Sequence, residues 1–241
     1  MIVRIFDSEL QAAQATATLI AAQLIQKPNS TLGLATGSTP IPVYEELIRM
    51  YEVGVIDFSN VATYNLDEYV GISETHPCSY HYFMQEMLFS KINIKRENTH
   101  LPHGNASDVQ AACCEYERMV NDIGQLDLQL LGIGNNGHIG FNEPAEHYVY
   151  ECHSVALTED TIQANRRFFS DKESVPKEAI TLGIGGIMQA NSVVLLATGK
   201  GKAEAVRQML KGNISPRCQA SVLRLHKNAT ILLDKAAATQ L

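Results

Sequence analysis

The chain has 241 residues, 45% of them hydrophobic and 19% charged, which suits one sizeable core. A formal net charge of −7 excludes a nucleic-acid binder that works through a broadly basic surface. No run approaches the ~18 apolar residues of a membrane span, and Met1–Phe6 lacks the apolar stretch of a secretion signal.

The elements alternate. Ile2–Phe6 reads as a short strand, and Ser8 as the N-cap of an Ala- and Leu-rich helix to about Gln26. Thr31–Ala35 is a small apolar strand. Thr36–Pro40 is a turn, and Pro40 or Pro42 opens a helix to about Glu52. Val61–Leu66 is a strand, Ser79–Phe89 and Ser107–Ile123 are helical, and Asp127–Leu131 is a buried strand. Val149–Ala156 reads as a strand, Thr158–Phe168 as a helix capped by Thr158 or Asp160, and Ala179–Ile184 as a strand followed by a short helix near Met188. Ser192–Ala197 is a strand and Lys202–Leu210 a helix. Val222–Leu225 and Thr230–Leu233 are the last two strands. The alternation predicts a single α/β domain over residues 1–241, Rossmann-like, with a mostly parallel sheet flanked by helices on both faces.

In such sheets ligands bind beyond the carboxyl ends of strands, and three exits stand out. Thr36-Gly37-Ser38-Thr39 offers small hydroxyl residues and a glycine at a helix start, which is either an anion site or a plain N-cap. Asp67 and Glu68 leave the strand Val61–Leu66. Consecutive residues point different ways, so at most one enters a given site, as a general base; the other reading is a solvated loop.

The third exit is Gly132-Ile133-Gly134-Asn135-Asn136-Gly137-His138-Ile139-Gly140-Phe141-Asn142-Glu143-Pro144. Gly132, Gly134 and Gly137 fit G-x-G-x-x-G, and Glu159 or Asp160 follows about 22 residues on. That fingerprint needs a helix directly after the glycines, and Gly140 and Pro144 interrupt one. The better reading is a polar loop in which Glu143 orients His138 and raises its basicity; a lone His satisfying turn backbone is the plainer one.

Lys200 and Lys202 open a helix against its dipole, a conflict that a bound anion removes. Arg166 and Arg167 are either a solvated face or a phosphate clamp. Pro102 separates His100 from His103, and neither H-E-x-x-H nor paired cysteines occurs, so no metal is expected. The five cysteines, Cys78, Cys113, Cys114, Cys152 and Cys218, form no C-x-x-C pair and fit reduced thiols in the cytoplasm. The sum is an acid–base enzyme for a small phosphorylated metabolite, without cofactor.

Taken together, Thr36-Gly37-Ser38-Thr39-Pro40, Asn65-Leu66-Asp67-Glu68-Tyr69-Val70-Gly71, His76-Pro77, Ser79-Tyr80, Gly137-His138-Ile139, Phe141-Asn142-Glu143-Pro144 and Arg167-Phe168-Phe169 resemble the glucosamine-6-phosphate deaminase family nearly end to end. The resemblance implies conversion of glucosamine 6-phosphate and water to fructose 6-phosphate and ammonia. Asp67 takes the role of the base that moves a proton from C2 to C1. His138 takes that of the ring-opening group, supported by Glu143 and Asn136. Gly37, Ser38, Thr39, Arg167 and Lys202 stand at the phosphate end, and residues of about 158–176 resemble a mobile lid.

Two departures carry weight. Many members have Asp at the position of Asn136, which cannot ionise, so the pH dependence of ring opening is expected to differ. The longer, allosteric hexameric members carry basic residues where His153 and Val155 stand here. The resemblance therefore implies an enzyme without an allosteric activator, monomeric or a small oligomer. The alternative enzyme is a 6-phosphogluconolactonase, which needs no C2 base. A silent sugar-phosphate sensor would lose Asp67, His138 and Glu143, and all three are present.

Overall fold

The computed structural model describes residues 1–169 and 174–241. Strand β1 (Ile2–Phe6) leads into α1 (Glu9–Gln26), where the Ser8 hydroxyl accepts the Gln11 N–H at 3.3 Å. Such a cap is worth about 1 kcal/mol. Then come β2 (Thr31–Leu34), α2 (Ile41–Glu52), β3 (Ala62–Asn65), β4 (Asp67–Tyr69), α3 (Tyr80–Met87), β5 (Thr99–His100), α4 (Val109–Asp122) and β6 (Leu128–Leu131). The remainder is β7 (His153–Ala156), α5 (Glu159–Asn165), β8 (Glu178–Thr181), α6 (Ile184–Gln189), β9 (Ser192–Ala197), α7 (Ala203–Lys211) and β10 (Ala229–Asp234).

Seven strands form one parallel sheet in the order β1-β10-β9-β6-β2-β3-β5. Val193, Val194, Leu195, Leu196 and Ala197 of β9 point alternately to either face and are all buried, so both faces of the sheet centre are covered. α1 packs on α2 and against β9 and β10; α4 packs with α6. From β2 the chain runs outward to β3 and β5, then returns to place β6 on β2's other side. The β2/β6 pair is therefore the topological switch point, where an open α/β sheet leaves a crevice at its carboxyl edge.

Three expectations are corrected. The run Val222–Leu225 is not a strand but part of a 3-10 helix, Gln219–Leu225, packed against α7. Ala220, Ser221, Val222 and Leu223 are buried in succession, and a short apolar run has no period that separates the two conformations. The strand expected from Val149 begins only at His153. Finally, β4, β8 and β7 make a separate antiparallel sheet, so the segment after Ala179 does not extend the main one. A second apolar cluster, with Tyr69, Phe141, Leu157, Phe169 and Val175 among its members, packs with this small sheet. Among the described residues no helix is long and apolar enough to cross a membrane.

Candidate active site

A cleft of about 510 Å³ opens at the switch point, lined by the exits of β2, β3, β6 and β9 and by α5. It gathers Gly37, Ser38, Thr39, Asp67, Asn136, His138, Arg167 and Lys202. Glu143 stands behind that wall, touching Asn136 and His138.

The anion end starts from β2. Gly37 has φ +96°, a conformation suited to glycine, and turns the chain between β2 and α2. The cap of α2 is Pro40, with no side-chain hydrogen bond, so Ser38 and Thr39 do not serve as plain caps. Instead the Arg167 guanidinium donates to the Ser38 hydroxyl at 3.1 Å. Lys202 follows a turn at Gly199 (φ +86°) whose N–H is held by the Asp234 carboxylate at 3.1 Å. Burial, and then the nearby Arg167 charge, pull the Lys202 ammonium down to about 8. Arg167 on the Ser38 hydroxyl and Lys202 near Arg167 put two cations in this part of the cleft, an arrangement suited to an anion. Lys200 is exposed and does not line the cleft.

Asp67 and Glu68 are both buried, which rules out the solvated loop. Only Asp67 lines the cleft. Desolvation, and next the adjacent Glu68 charge, push the Asp67 carboxyl up to about 8. Glu68 accepts the N–H groups of Tyr69, Tyr80 and His81 at 2.8, 3.0 and 3.0 Å, and so anchors the start of α3.

On the opposite wall the glycines of the loop serve a ring, not a nucleotide. No helix follows Gly137; the next one begins at Glu159. A Cβ on Gly134 would lie 2.3–2.5 Å from the His138 imidazole, so Gly134 leaves the space that the ring occupies. Gly137 (φ +88°) makes the turn and packs on Cys218. The Asn136 side chain accepts the His138 N–H at 3.2 Å and donates to Glu143 Oε2 at 2.7 Å. His138 Nδ1 lies 3.4 Å from the same oxygen. That contact is not a hydrogen bond, since the buried Nδ1 has no hydrogen-bond partner among the described residues. Burial alone would raise the Glu143 carboxyl; contacts with His138, Thr161 and Asn136 outweigh it and hold the group at about 2. An ionised carboxylate at this position orients the ring. Asn142 is structural: its amide donates to the Ile139 and Leu182 carbonyls at 2.9 Å each.

Sequence reasoning missed Thr158 and Thr161. Thr158 caps α5 as expected, but its hydroxyl also donates to Glu143 Oε1 at 3.2 Å, and that of Thr161 does so at 2.5 Å. Tyr80, which lines the cleft, was read only as part of a motif; its ring stacks on Phe141 at 5.9 Å between centroids. None of these pairings leaves a local trace in the chain. The histidines excluded as metal ligands have other partners. His100 stacks on Tyr64 at 4.6 Å, and His103 lies 2.8 Å from Glu74. The described residues hold no cluster fit for a metal ion.

A parallel α/β sheet that gathers two cations, a buried carboxyl group and a histidine in one cleft at its switch point has the makings of an enzyme site for a small anionic substrate. The chain belongs to the glucosamine-6-phosphate isomerase/6-phosphogluconolactonase family, whose model matches residues 7–232. It is 53% identical over 229 residues to a glucosamine-6-phosphate deaminase of Thermoanaerobacter sp. (strain X514), covering 95% of this chain and 90% of that one. It is 48% identical to one from Halothermothrix orenii, both chains being covered in full. The solved structure of a monomeric glucosamine-6-phosphate deaminase superposes with a TM-score of 0.97 at 45% identity, again over both whole chains. A 6-phosphogluconolactonase from Trypanosoma brucei shares the fold, with a TM-score of 0.72 at 19% identity and coverage of 100% and 98%.

Proposed function

We propose that this protein converts glucosamine 6-phosphate and water to fructose 6-phosphate and ammonia. The observation that carries the reading is a buried carboxylate, Asp67, in the same cleft as His138 and the Arg167/Lys202 pair. Hydrolysis of a lactone needs an activated water but no base at C2; an aldose–ketose shift needs that base.

In this reading Ser38, Thr39, Arg167 and Lys202 hold the phosphate, with the backbone at Gly37 approaching it closely. His138, oriented by Glu143 and Asn136, moves the proton from the C1 hydroxyl to the ring oxygen and opens the ring. Asp67 then takes the proton from C2 and returns it to C1. One ammonium proton passes to the C1 oxygen, the nitrogen at C2 is left as an iminium, and water adds at C2 and expels ammonia. The substrate ammonium offsets the raised pKa of Asp67, because a positive charge beside the carboxyl favours its ionised form. The chemistry calls for neither metal nor cofactor. The stretch of about 158–176 acts as a lid that excludes water; residues 170–173 of it lie outside the described residues. With His153 and Val155 on β7, the enzyme has no site for an acidic sugar-phosphate activator, and it works as a monomer or small oligomer.

The test is ammonia release from purified protein and glucosamine 6-phosphate, without metal or nucleotide, with fructose 6-phosphate assayed in parallel. Equal amounts of both products are expected. Binding without turnover would overturn the reading and make 6-phosphogluconolactone the next substrate.

A further inference from the structure

Buried threonine hydroxyls inside helices ordinarily donate to the carbonyl one turn back. Thr16, buried in α1, does so at 2.8 Å to Ala12. Thr161 does not. It is 3% exposed, and its hydroxyl leaves α5 to reach Glu143 Oε1 at 2.5 Å. Thr158 supports it, 3.1 Å from the Thr161 hydroxyl and 3.2 Å from the same carboxylate oxygen. The two oxygens of Glu143 are thus divided. Oε1 belongs to α5, whereas Oε2 belongs to the loop, through Asn136 at 2.7 Å and His138 at 3.4 Å. At its other end α5 runs directly into the 3-10 turn Arg166–Phe168, from which Arg167 reaches Ser38 at 3.1 Å. One continuous helical segment therefore touches both the acid–base group and the anion seat.

We propose that Thr161, assisted by Thr158, is a positioning residue: through Glu143 it sets the orientation of His138 and makes that end of the cleft respond to an anion held by Arg167 at the other end of the same segment. A bond to an ionised carboxylate is among the stronger hydrogen bonds and is directional, so a small displacement of α5 is passed to Glu143. Coupling of this kind is reciprocal: protonation of His138 would in turn alter anion affinity. The inference deepens the deaminase reading, because the coupling would let phosphate binding ready the ring-opening group.

The experiment follows the His138 imidazole by heteronuclear NMR across pH, with and without saturating inorganic phosphate, in the wild type and in Thr161→Val and Thr161→Ser. The charged groups that share the cleft, Asp67, Asp160, Arg167 and Lys202, are left intact. In the wild type, phosphate is expected to move the His138 midpoint. In Thr161→Val that response should fall by more than half, and in Thr161→Ser it should return. With glucosamine 6-phosphate, Thr161→Val should lose ~10-fold in kcat with KM within about twofold, and Thr161→Ser should recover most of the loss. A wild-type midpoint indifferent to phosphate overturns the proposal. So does a response undiminished in Thr161→Val, which would mean plain through-space electrostatics. Should Thr161→Val not fold, Thr158→Ala, which keeps Thr161, is expected to give a partial loss of the response, and an unchanged response there also overturns it. The NMR readout needs no turnover, so an inactive wild type would remove the deaminase reading without deciding this one.

Discussion

Asp67 and Glu68 are neighbours in β4, both buried, and they do different work: Asp67 lines the cleft, and Glu68 holds the N–H groups of Tyr80 and His81 at 3.0 Å each. The second carboxylate anchors the start of α3 and, by its charge, helps raise the first. The expected consequence is that Asp67→Asn keeps the fold and the phosphate contacts but loses the proton acceptor. Turnover of glucosamine 6-phosphate should drop by roughly 10²–10⁴-fold, the usual worth of a general base. KM should stay within a few-fold. Steady-state kinetics check this, and near-normal turnover would remove Asp67 from the role.

The two perturbed carboxylates tilt stability in opposite directions with pH. Glu143 is held at about 2 in the folded chain, below the ordinary ~4.3. Its contribution is whole above the ordinary value and is lost as pH falls toward 2. Asp67 is raised to about 8, so the folded chain binds its proton more tightly than the unfolded chain does. Its contribution is whole below ~3.9 and is lost as pH rises toward 8. Between pH 5 and 8 the melting temperature of Asp67→Asn should therefore depend on pH with less downward slope than that of the wild type. Parallel curves for the two proteins in thermal scans would mean that Asp67 titrates normally.

Asn136 donates to Glu143 Oε2 at 2.7 Å, so Asn136→Asp places a second carboxylate against the first. Two such groups share a proton, and the apparent pKa of the pair rises. The variant should stay active, within a few-fold in kcat. The acid limb of its kcat/KM profile should move to higher pH by about one unit or more. An unmoved limb would show that this position does not influence ring opening.

Gly134 leaves room for the His138 ring, which a Cβ would meet at 2.3–2.5 Å. Gly134→Ala should therefore displace the imidazole and cut kcat at least ~100-fold, in the range of losing an acid–base group. Destabilisation should remain near 1–3 kcal/mol, the cost of local overpacking. A denaturant melt beside a kinetic assay separates the two effects. Full activity would mean that the ring has a second productive seat.

Much of the architecture was legible from the chain. Apolar runs such as Ser192–Ala197 and caps such as Ser8 and Thr158 are local signals, and each stands where local physics puts it. The polar loop between Gly132 and Pro144 announced itself by its composition, because glycines and amides cannot build a core. The absence of a helix after Gly137 followed from Gly140 and Pro144.

The rest was decided by contacts between distant parts of the chain. That Val222–Leu225 is helical and that β4, β8 and β7 form their own sheet depend on what packs against them, since short apolar runs suit either conformation. That Asp67 faces the cleft while Glu68 anchors the start of α3 depends on where α3 begins, with ten residues between it and β4. The bond from Thr161 to Glu143 spans 18 residues and that from Arg167 to Ser38 spans 129. By itself the sequence determined which groups are present, where the strands end, and hence the inventory of the chemistry. Only the tertiary structure decided which groups meet, because burial and hydrogen bonding across the cleft are properties of the assembled fold.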